Sequence, residues 1–129
     1  MQIVRVRDVM IKEVLSIDGM ASARDAARMM REHRVSELLV DKRNEDDAWG
    51  IVTIMDLIRD VVIPGKDAQH VFVYEIMTKP IITVPADMDI RYAIRLIQRV
   101  GVQRAPVEES GHLVGMLSLA SIVLDNDIL

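Results

Sequence analysis

The stretch Gly50-Ile51-Val52-Thr53 has a counterpart later in the chain, Gly115-Met116-Leu117-Ser118. Each consists of a glycine, two apolar residues and a hydroxyl residue, which is typical of a short buried strand that ends at a polar position. The correspondence extends towards the N-terminus, where Val6-Arg7-Asp8-Val9-Met10 aligns with Val73-Tyr74-Glu75-Ile76-Met77. Because an internal repeat determines the architecture of a chain, we interpret the sequence as two copies of one unit.

Both copies predict the same order of elements: strand, helix, strand, strand, helix. A short apolar run, Val14–Ile17 or Ile81–Val84, predicts the first strand of each copy. A helix follows, which Ser22 can cap in the first copy and Asp87 or Asp89 in the second. The sequence therefore predicts a mixed α/β (α+β) fold made of two tandem β-α-β-β-α repeats.

Two strands and a closing helix complete each copy. They are predicted at Glu37–Asp41, Trp49–Thr53 and Met55–Val62 in the first copy, and at Arg104–Glu108, Leu113–Ser118 and Ala120–Asp125 in the second.

The predicted division is a first repeat over residues 1–62, a linker over 63–72 and a second repeat over 73–129. The linker contains Pro64-Gly65, a pair that favours a turn. A repeat of this size buries too little apolar surface to be comfortably stable alone. We therefore expect the two repeats to pack with pseudo-two-fold symmetry, with ligand-binding clefts between them.

The composition excludes several classes of site. The chain has 129 residues, half of them apolar, and no cysteine, which rules out disulfides, thiolate catalysis and cysteine-type zinc sites. Three histidines, His33, His70 and His112, lack metal-ligand spacing, so no metal site is predicted. There is also no pairing of a nucleophile with a base and no glycine-rich phosphate loop, and we expect no catalytic residues and no enzymatic activity.

The net charge and the hydropathy of the chain indicate which partners are not expected. The formal net charge of -4 gives no support for nucleic-acid binding, which usually requires a basic excess. No apolar run approaches the length of a membrane span, so no membrane association is expected. A cytoplasmic location is the default expectation.

A set of short motifs recurs in the same order in both copies. The motifs are Val9-Met10 and Ile76-Met77, Ala26 and Ala93, Val35–Asp41, Gln103-Arg104-Ala105-Pro106-Val107, and Gly50-Ile51-Val52-Thr53-Ile54-Met55-Asp56, which fits Gly-x-x-Thr-x-x-Asp. Over roughly Val4 to Asp125 this pattern resembles the cystathionine β-synthase-type (CBS) domain family, and the pair resembles a Bateman module.

The resemblance implies a regulatory module that binds AMP, ADP or ATP, or else S-adenosylmethionine or NAD, requires no cofactor and forms a homodimer. Because no effector domain is apparent in the chain, we expect the regulated partner to be a separate protein. The alternative is a constitutive dimerisation or scaffold module without a physiological ligand. Thr53 and Asp56 favour the nucleotide sensor, whereas Ser121 favours the scaffold.

Thr53 and Asp56 form the centre of the predicted nucleotide-binding site. A strand is predicted to end and a helix to begin here, and the unpaired N–H groups of a helix N-terminus attract phosphate. Asp56 lies one helical turn further on, and the resemblance assigns its carboxylate to the ribose hydroxyls. The same spacing also serves a helix cap without any ligand. The repeat context favours the binding role.

The resemblance also implies a pocket for the base. Its walls would be formed by Ser16 and Ile17 on one side and by Val35, Ser36, Glu37 and Leu38 on the other. Each of the apolar members, taken singly, fits the hydrophobic core better than a ligand contact.

A second candidate site falls at the matching positions of the second repeat. Its residues would be Thr83, Val102, Arg104, Ser118 and Ser121. Ser121 stands where the first repeat has Asp56, and a serine is shorter and uncharged. Arg104 suits either a phosphate contact or an ordinary surface charge. We therefore predict that this second site is weaker, empty or altered in ligand preference.

Overall fold

The computed structural model describes residues 3–129, which form two compact units. One unit comprises Leu15–Ile81, and the other comprises Ile82–Leu129 together with the residues up to Val14. Residues 1 and 2, with which the predicted first repeat begins, lie outside the described part of the chain.

The elements alternate as the repeat predicts. In chain order they are α1 (Val6–Val9), β1 (Ser16–Ile17), α2 (Ala23–His33), β2 (Glu37–Val40), β3 (Gly50–Thr53), α3 (Ile54–Leu57), a π-helical turn (Ile58–Val62), a 3-10 turn (Ala68–His70), α4 (Val73–Ile76), β4 (Val84–Pro85), α5 (Ile90–Val100), β5 (Arg104–Glu109), β6 (His112–Ser118) and α6 (Leu119–Leu124).

Each unit contains one three-stranded sheet. The order is β1-β2-β3 in the first unit and β4-β5-β6 in the second. The first two strands of each sheet run parallel and the last two antiparallel. The mixed α+β fold of two tandem repeats is thus confirmed. No helix within residues 3–129 is both long enough and apolar enough to cross a membrane.

The two long helices begin at side-chain caps. The N–H of Asp25 donates to Ser22 Oγ at 3.0 Å and the N–H of Ser22 donates to Asp25 Oδ2 at 3.2 Å, so Ser22 caps α2 as predicted. In the second copy Asp89 is the cap, because its Oδ1 accepts from the N–H of Arg91 at 2.9 Å. The sequence left open whether Asp87 or Asp89 would take this role.

The helices α2 and α5 each bury one apolar face in the core of their unit. The small buried alanines Ala26 and Ala93 let each helix approach its sheet closely. The fully buried side chains include Leu38, Val40 and Val52 in the first unit, and Val84, Val107 and Leu117 in the second.

The compact units and the sequence repeats are divided differently. Ile11 and Met116 exchange two backbone hydrogen bonds of 2.8 Å, which attaches the N-terminal segment to the second unit. Ile51 and Thr78 exchange two bonds of 2.9 Å, which attaches the segment after the predicted linker to the first unit. Each sheet is therefore extended by the segment that leads into the other repeat. The predicted linker 63–72 itself contains the 3-10 turn Ala68–His70 and the buried Val71.

Two glycines are explained by this arrangement. A Cβ atom at Gly115 would lie 2.7 Å from the carbonyl oxygen of Ile11 and 2.7 Å from Met10 Sδ. A Cβ atom at Gly50 would lie 3.3 Å from the carbonyl oxygen of Thr78. The glycines of the repeated motif thus permit the close approach of the leading segment, a role that depends on the missing side chain.

Candidate functional site

The β3–α3 junction holds Thr53 and Asp56 in one hydrogen-bonded unit. The backbone N–H of Thr53 donates to Asp56 Oδ2 at 2.8 Å, and Thr53 Oγ1 donates to the same oxygen at 3.0 Å. The backbone N–H of Asp56 donates to Thr53 Oγ1 at 3.2 Å in return. This is a capping box, so the helix-capping interpretation of the spacing is realised in full.

The carboxylate of Asp56 also forms an ion pair. Asp56 is only 5% exposed, and its Oδ1 accepts from Arg59 Nη2 at 2.7 Å. The guanidinium of Arg59 donates in addition to both oxygens of Asp60, at 3.1 and 3.0 Å. Hydrogen bonds to Asp60 and Asp56 raise the pKa of Arg59. The two oxygens of Asp56 therefore have different roles: Oδ2 caps the helix and Oδ1 contacts a partly exposed cation.

Glu37 and Ser36 lie next to this junction. Glu37 is directly opposite Thr53 in the β2–β3 ladder, and Ser36 Oγ donates to Glu37 Oε2 at 2.6 Å. The carbonyl of Ser36 accepts the N–H of Ile54, the first residue of α3, at 3.0 Å. The structure thus brings Ser36, Glu37, Thr53 and Asp56 together at one end of the sheet.

The remaining residues of the first predicted site are Ser16 and three apolar residues of the core. Ile17 and Leu38 are buried members of the core, and Val35 is half-buried against it. Ser16 is paired with Leu39, two residues along β2 from Glu37. In the described structure Ile17 and Leu38 are therefore core residues.

The second repeat reproduces the junction with different chemistry. Arg104 is opposite Ser118, as Glu37 is opposite Thr53, and the N–H of Leu119 donates to the carbonyl of Gln103 at 3.0 Å. Ser121 Oγ donates to the carbonyl of Ser118 at 3.1 Å, and the N–H of Ser121 donates to Ser118 Oγ at 3.4 Å. Both serines are buried. The equivalent of the Asp56 carboxylate is therefore a buried hydroxyl that is already hydrogen-bonded within the helix end.

Of the other two residues of the second candidate site, Thr83 lies apart from this junction. Thr83 Oγ1 donates to Glu108 Oε2 at 3.0 Å, and both residues line a cleft of about 440 Å³. Glu108 is four residues along β5 from Arg104, which corresponds to about 13 Å of strand. Val102 is exposed before β5 begins. Of the five residues, the structure brings together Arg104, Ser118 and Ser121.

A separate cleft of about 760 Å³ lies in the first unit, at the carboxyl ends of β1 and β2. Its lining includes Asp18, Lys42, Tyr74 and Lys79 and none of the predicted site residues.

Sequence reasoning missed Arg59. Its position three residues after Asp56 is the spacing at which opposite charges meet on a helix, so the signal was present in the sequence. Asp60 competes for the same guanidinium, and only the structure shows that Arg59 contacts both carboxylates.

Comparisons with known proteins agree with the repeat. The family model for the CBS domain matches residues 6–63 and 73–124. An uncharacterized protein from Methanopyrus kandleri is 32% identical over 124 residues, which cover 95% of this chain and 63% of that protein. The hexameric CBS-CP12 protein from bloom-forming cyanobacteria has a TM-score of 0.89 and 34% identity, covering 97% of this chain and 72% of that chain.

Enzymes also appear among the relatives, through a fraction of their length. The homoserine O-acetyltransferase of Methanocorpusculum labreanum is 32% identical over 120 residues, which make up 92% of this chain but 23% of that enzyme. The chain thus spans less than two-thirds of the length of these curated relatives. The two family matches coincide with the two repeats, and the chain belongs to the CBS domain family, whose proteins are generally regulatory, ligand-binding modules.

Proposed function

We propose that this chain is a regulatory module that binds an adenine nucleotide, AMP, ADP or ATP, at the Thr53–Asp56 junction and signals to a separate partner protein. The observation that carries the proposal is the carboxylate of Asp56, which is buried, oriented by Thr53 and directed through Oδ1 towards an exposed side chain. An oriented carboxylate is the group best suited to accept hydrogen bonds from a ribose diol.

The surroundings of Asp56 support a nucleotide more than a simple sugar. Glu37 and Ser36 supply acceptors and a hydroxyl beside the junction, which can read the polar edge of a base. Arg59 supplies a cation beside the carboxylate, and a guanidinium suits the phosphate group. S-adenosylmethionine and NAD also carry an adenosine ribose and are the alternative ligands.

We propose that the junction of the second repeat binds nucleotide more weakly or with an altered ligand preference. Ser121 offers a hydroxyl in place of a carboxylate, and that hydroxyl is engaged with the carbonyl of Ser118. Arg104 adds a positive charge where the first junction has Glu37. We therefore propose one strong nucleotide site per chain.

Self-association is the second part of the proposal. The closing helical segments expose large apolar side chains, among them Met55, Val62, Val123 and Leu124. Apolar side chains that remain uncovered in a monomer commonly form a symmetric interface between copies. The CBS-CP12 relative is hexameric, which supports self-association of this chain, and we propose a cytoplasmic homodimer as its basic form.

The test is a thermal-shift titration of the purified protein with AMP, ADP, ATP, NAD and S-adenosylmethionine. A ligand that binds only the folded state adds about 2.7 kcal/mol of stability at 100 times its Kd, which raises Tm by several degrees. The shift should disappear in Asp56→Ala and persist in Asp46→Ala, which removes an exposed carboxylate in the β2–β3 turn. Each shift is taken relative to the same variant without ligand.

A constitutive scaffold is the second candidate function. It is favoured by the capping box, which satisfies Asp56 Oδ2 and Thr53 without any ligand, and by Ser121. An absence of any Tm shift at millimolar ligand would reject the nucleotide sensor and support the scaffold.

A further inference from the structure

Arg59 is shared between two carboxylates at the junction. Its Nη2 lies 2.7 Å from Asp56 Oδ1 and 3.0 Å from Asp60 Oδ2, while Nε donates to Asp60 Oδ1 at 3.1 Å. The contact with Asp60 uses two nitrogens of the guanidinium, Nε and Nη2, whereas the contact with Asp56 uses Nη2 alone. Arg59 can therefore release Asp56 and keep a bidentate partner.

The contact between Arg59 and Asp56 is easy to exchange. The Arg59 side chain is 60% exposed, and ion pairs that involve an exposed side chain add little stability because water competes for both charges. The Asp56 carboxylate is nearly buried, so it still needs a donor when Arg59 leaves. A ribose hydroxyl is such a donor.

The second repeat lacks both members of the pair. When Thr53 is aligned with Ser118, Asp56 corresponds to Ser121 and Arg59 to Leu124. α6 forms without either charge, so the closing helix of a repeat does not require the pair in order to fold. The carboxylate and the arginine occur together at one junction and are absent together from the other.

We propose that Arg59 determines the preference of the site for phosphorylated nucleosides. Before a ligand binds, Arg59 donates to Asp56 Oδ1. When the ribose hydroxyls take its place, Arg59 moves onto the phosphate of the same ligand while Asp60 keeps its contact with Nε. This inference rests on the proposed function and adds to it a named specificity residue.

This mechanism predicts that the site binds nucleotides more tightly than nucleosides. A nucleoside displaces Arg59 from Asp56 and gives the guanidinium nothing in return, whereas a nucleotide offers a new anionic partner. A charge-assisted hydrogen bond to phosphate corresponds to a gain of about tenfold or more in affinity. Because Arg59 is exposed, that gain should decline as the salt concentration rises.

The experiment is calorimetric titration of the wild-type protein and its variants with adenosine and with AMP, at low and at high salt. Wild type should bind AMP at least about tenfold more tightly than adenosine. Arg59→Met should bring the two affinities within about twofold of each other, by weakening AMP while adenosine binds equally well or more tightly. Arg59→Lys, which keeps the charge, should retain part of the preference and its salt dependence.

The matched control is Arg99→Met, which removes an exposed arginine from the last turn of α5 in the other unit. It changes the net charge by the same amount and should behave as wild type. Melting curves without ligand establish that every variant is folded.

Three results would overturn the inference alone: equal binding of AMP and adenosine by wild type, a parallel loss of both ligands in Arg59→Met, or an unchanged preference for AMP in Arg59→Met. The second would mean that Arg59 merely positions Asp56. If wild type binds neither compound, and ADP and ATP do not raise Tm either, the proposed function is rejected and this inference with it.

Discussion

Lys79 Nζ lies 2.7 Å from each carboxylate oxygen of Asp47, a residue 32 positions earlier in the chain. The ion pair fixes the segment after α4 to the turn between β2 and β3. Arg43 adds its backbone N–H and its Nε, which donate to Asp47 Oδ2 at 2.9 and 3.1 Å. The hydrogen bond from Lys79, followed by those from Arg43, holds the pKa of Asp47 well below its usual range.

Asp47→Asn should destabilise the protein in a pH-dependent way. The pKa of Asp47 is lower in the folded state than the unfolded value of about 3.9, so its stabilising contribution is present above about pH 4. That contribution is lost as the pH falls through the folded-state pKa. Urea unfolding of both proteins from pH 7 to pH 3 should show a stability difference that shrinks below about pH 4. Asp46→Asn, next in the same turn, is the control; an identical difference at every pH would contradict the prediction.

Gly115→Ala should destabilise the protein strongly for a substitution that adds a single methyl group. The added methyl would lie 2.7 Å from the carbonyl oxygen of Ile11, a backbone atom that cannot move without disturbing the bridge to Met116. A cost of about 1–3 kcal/mol is expected for such overpacking. Gly50→Ala should cost less, because its nearest backbone contact is 3.3 Å. Thermal unfolding of the two variants would rank them, and the reverse order would refute this explanation of the glycines.

Leu38→Ala should act mainly on stability. Leu38 has no exposed surface, and truncation of a buried leucine costs about 2–5 kcal/mol through the cavity that remains. Met20→Ala is the control: Met20 is 64% exposed, and its truncation should change the free energy of unfolding by about 0.5 kcal/mol or less. Denaturant unfolding measures both. Near-equal stability of wild type and Leu38→Ala would remove Leu38 from the core.

Asp56→Ala should lower stability even without ligand. The substitution removes one half of the capping box and leaves the N–H and hydroxyl of Thr53 without their acceptor. The expected cost is about 1 kcal/mol, typical of the loss of a helix cap. Chemical denaturation of the ligand-free protein provides the measurement, with Asp46→Ala as the exposed counterpart. An unchanged midpoint would show that the carboxylate does not support α3.

Much of the fold could be predicted from the sequence because each repeat confirmed the other. The repeat and the cap residues placed α2 and α5 after the first strand of each copy, and the hydroxyl of Ser22 marked a helix start. The helices α1 and α4 were missed, since a four-residue helix spans little more than one turn and offers too few periodic positions. The attachment of each leading segment to the other repeat's sheet was also beyond prediction, because a repeat pattern does not specify which sheet a segment joins.

The candidate site was predicted in part. The spacing of Thr53 and Asp56 and their place at a strand-to-helix junction followed from the motif. The burial of Ile17 and Leu38 could not be separated from a ligand-contacting role, because core and pocket walls use the same apolar residues. The role of Arg59 required coordinates, since two carboxylates lie within reach of one flexible side chain.

The attachment of the N-terminal segment to the second unit has a consequence for biosynthesis. Val6 and Val9 leave the ribosome before the unit Leu15–Ile81, but the sheet against which they are buried is encoded after Ile81. At a synthesis rate of about 5–20 residues per second, these side chains remain unpacked for several seconds. The first unit, by contrast, is one continuous segment and can fold as soon as Ile81 has emerged. During translation the unit Leu15–Ile81 can therefore fold before the other unit, which has to bring together the segments on either side of it.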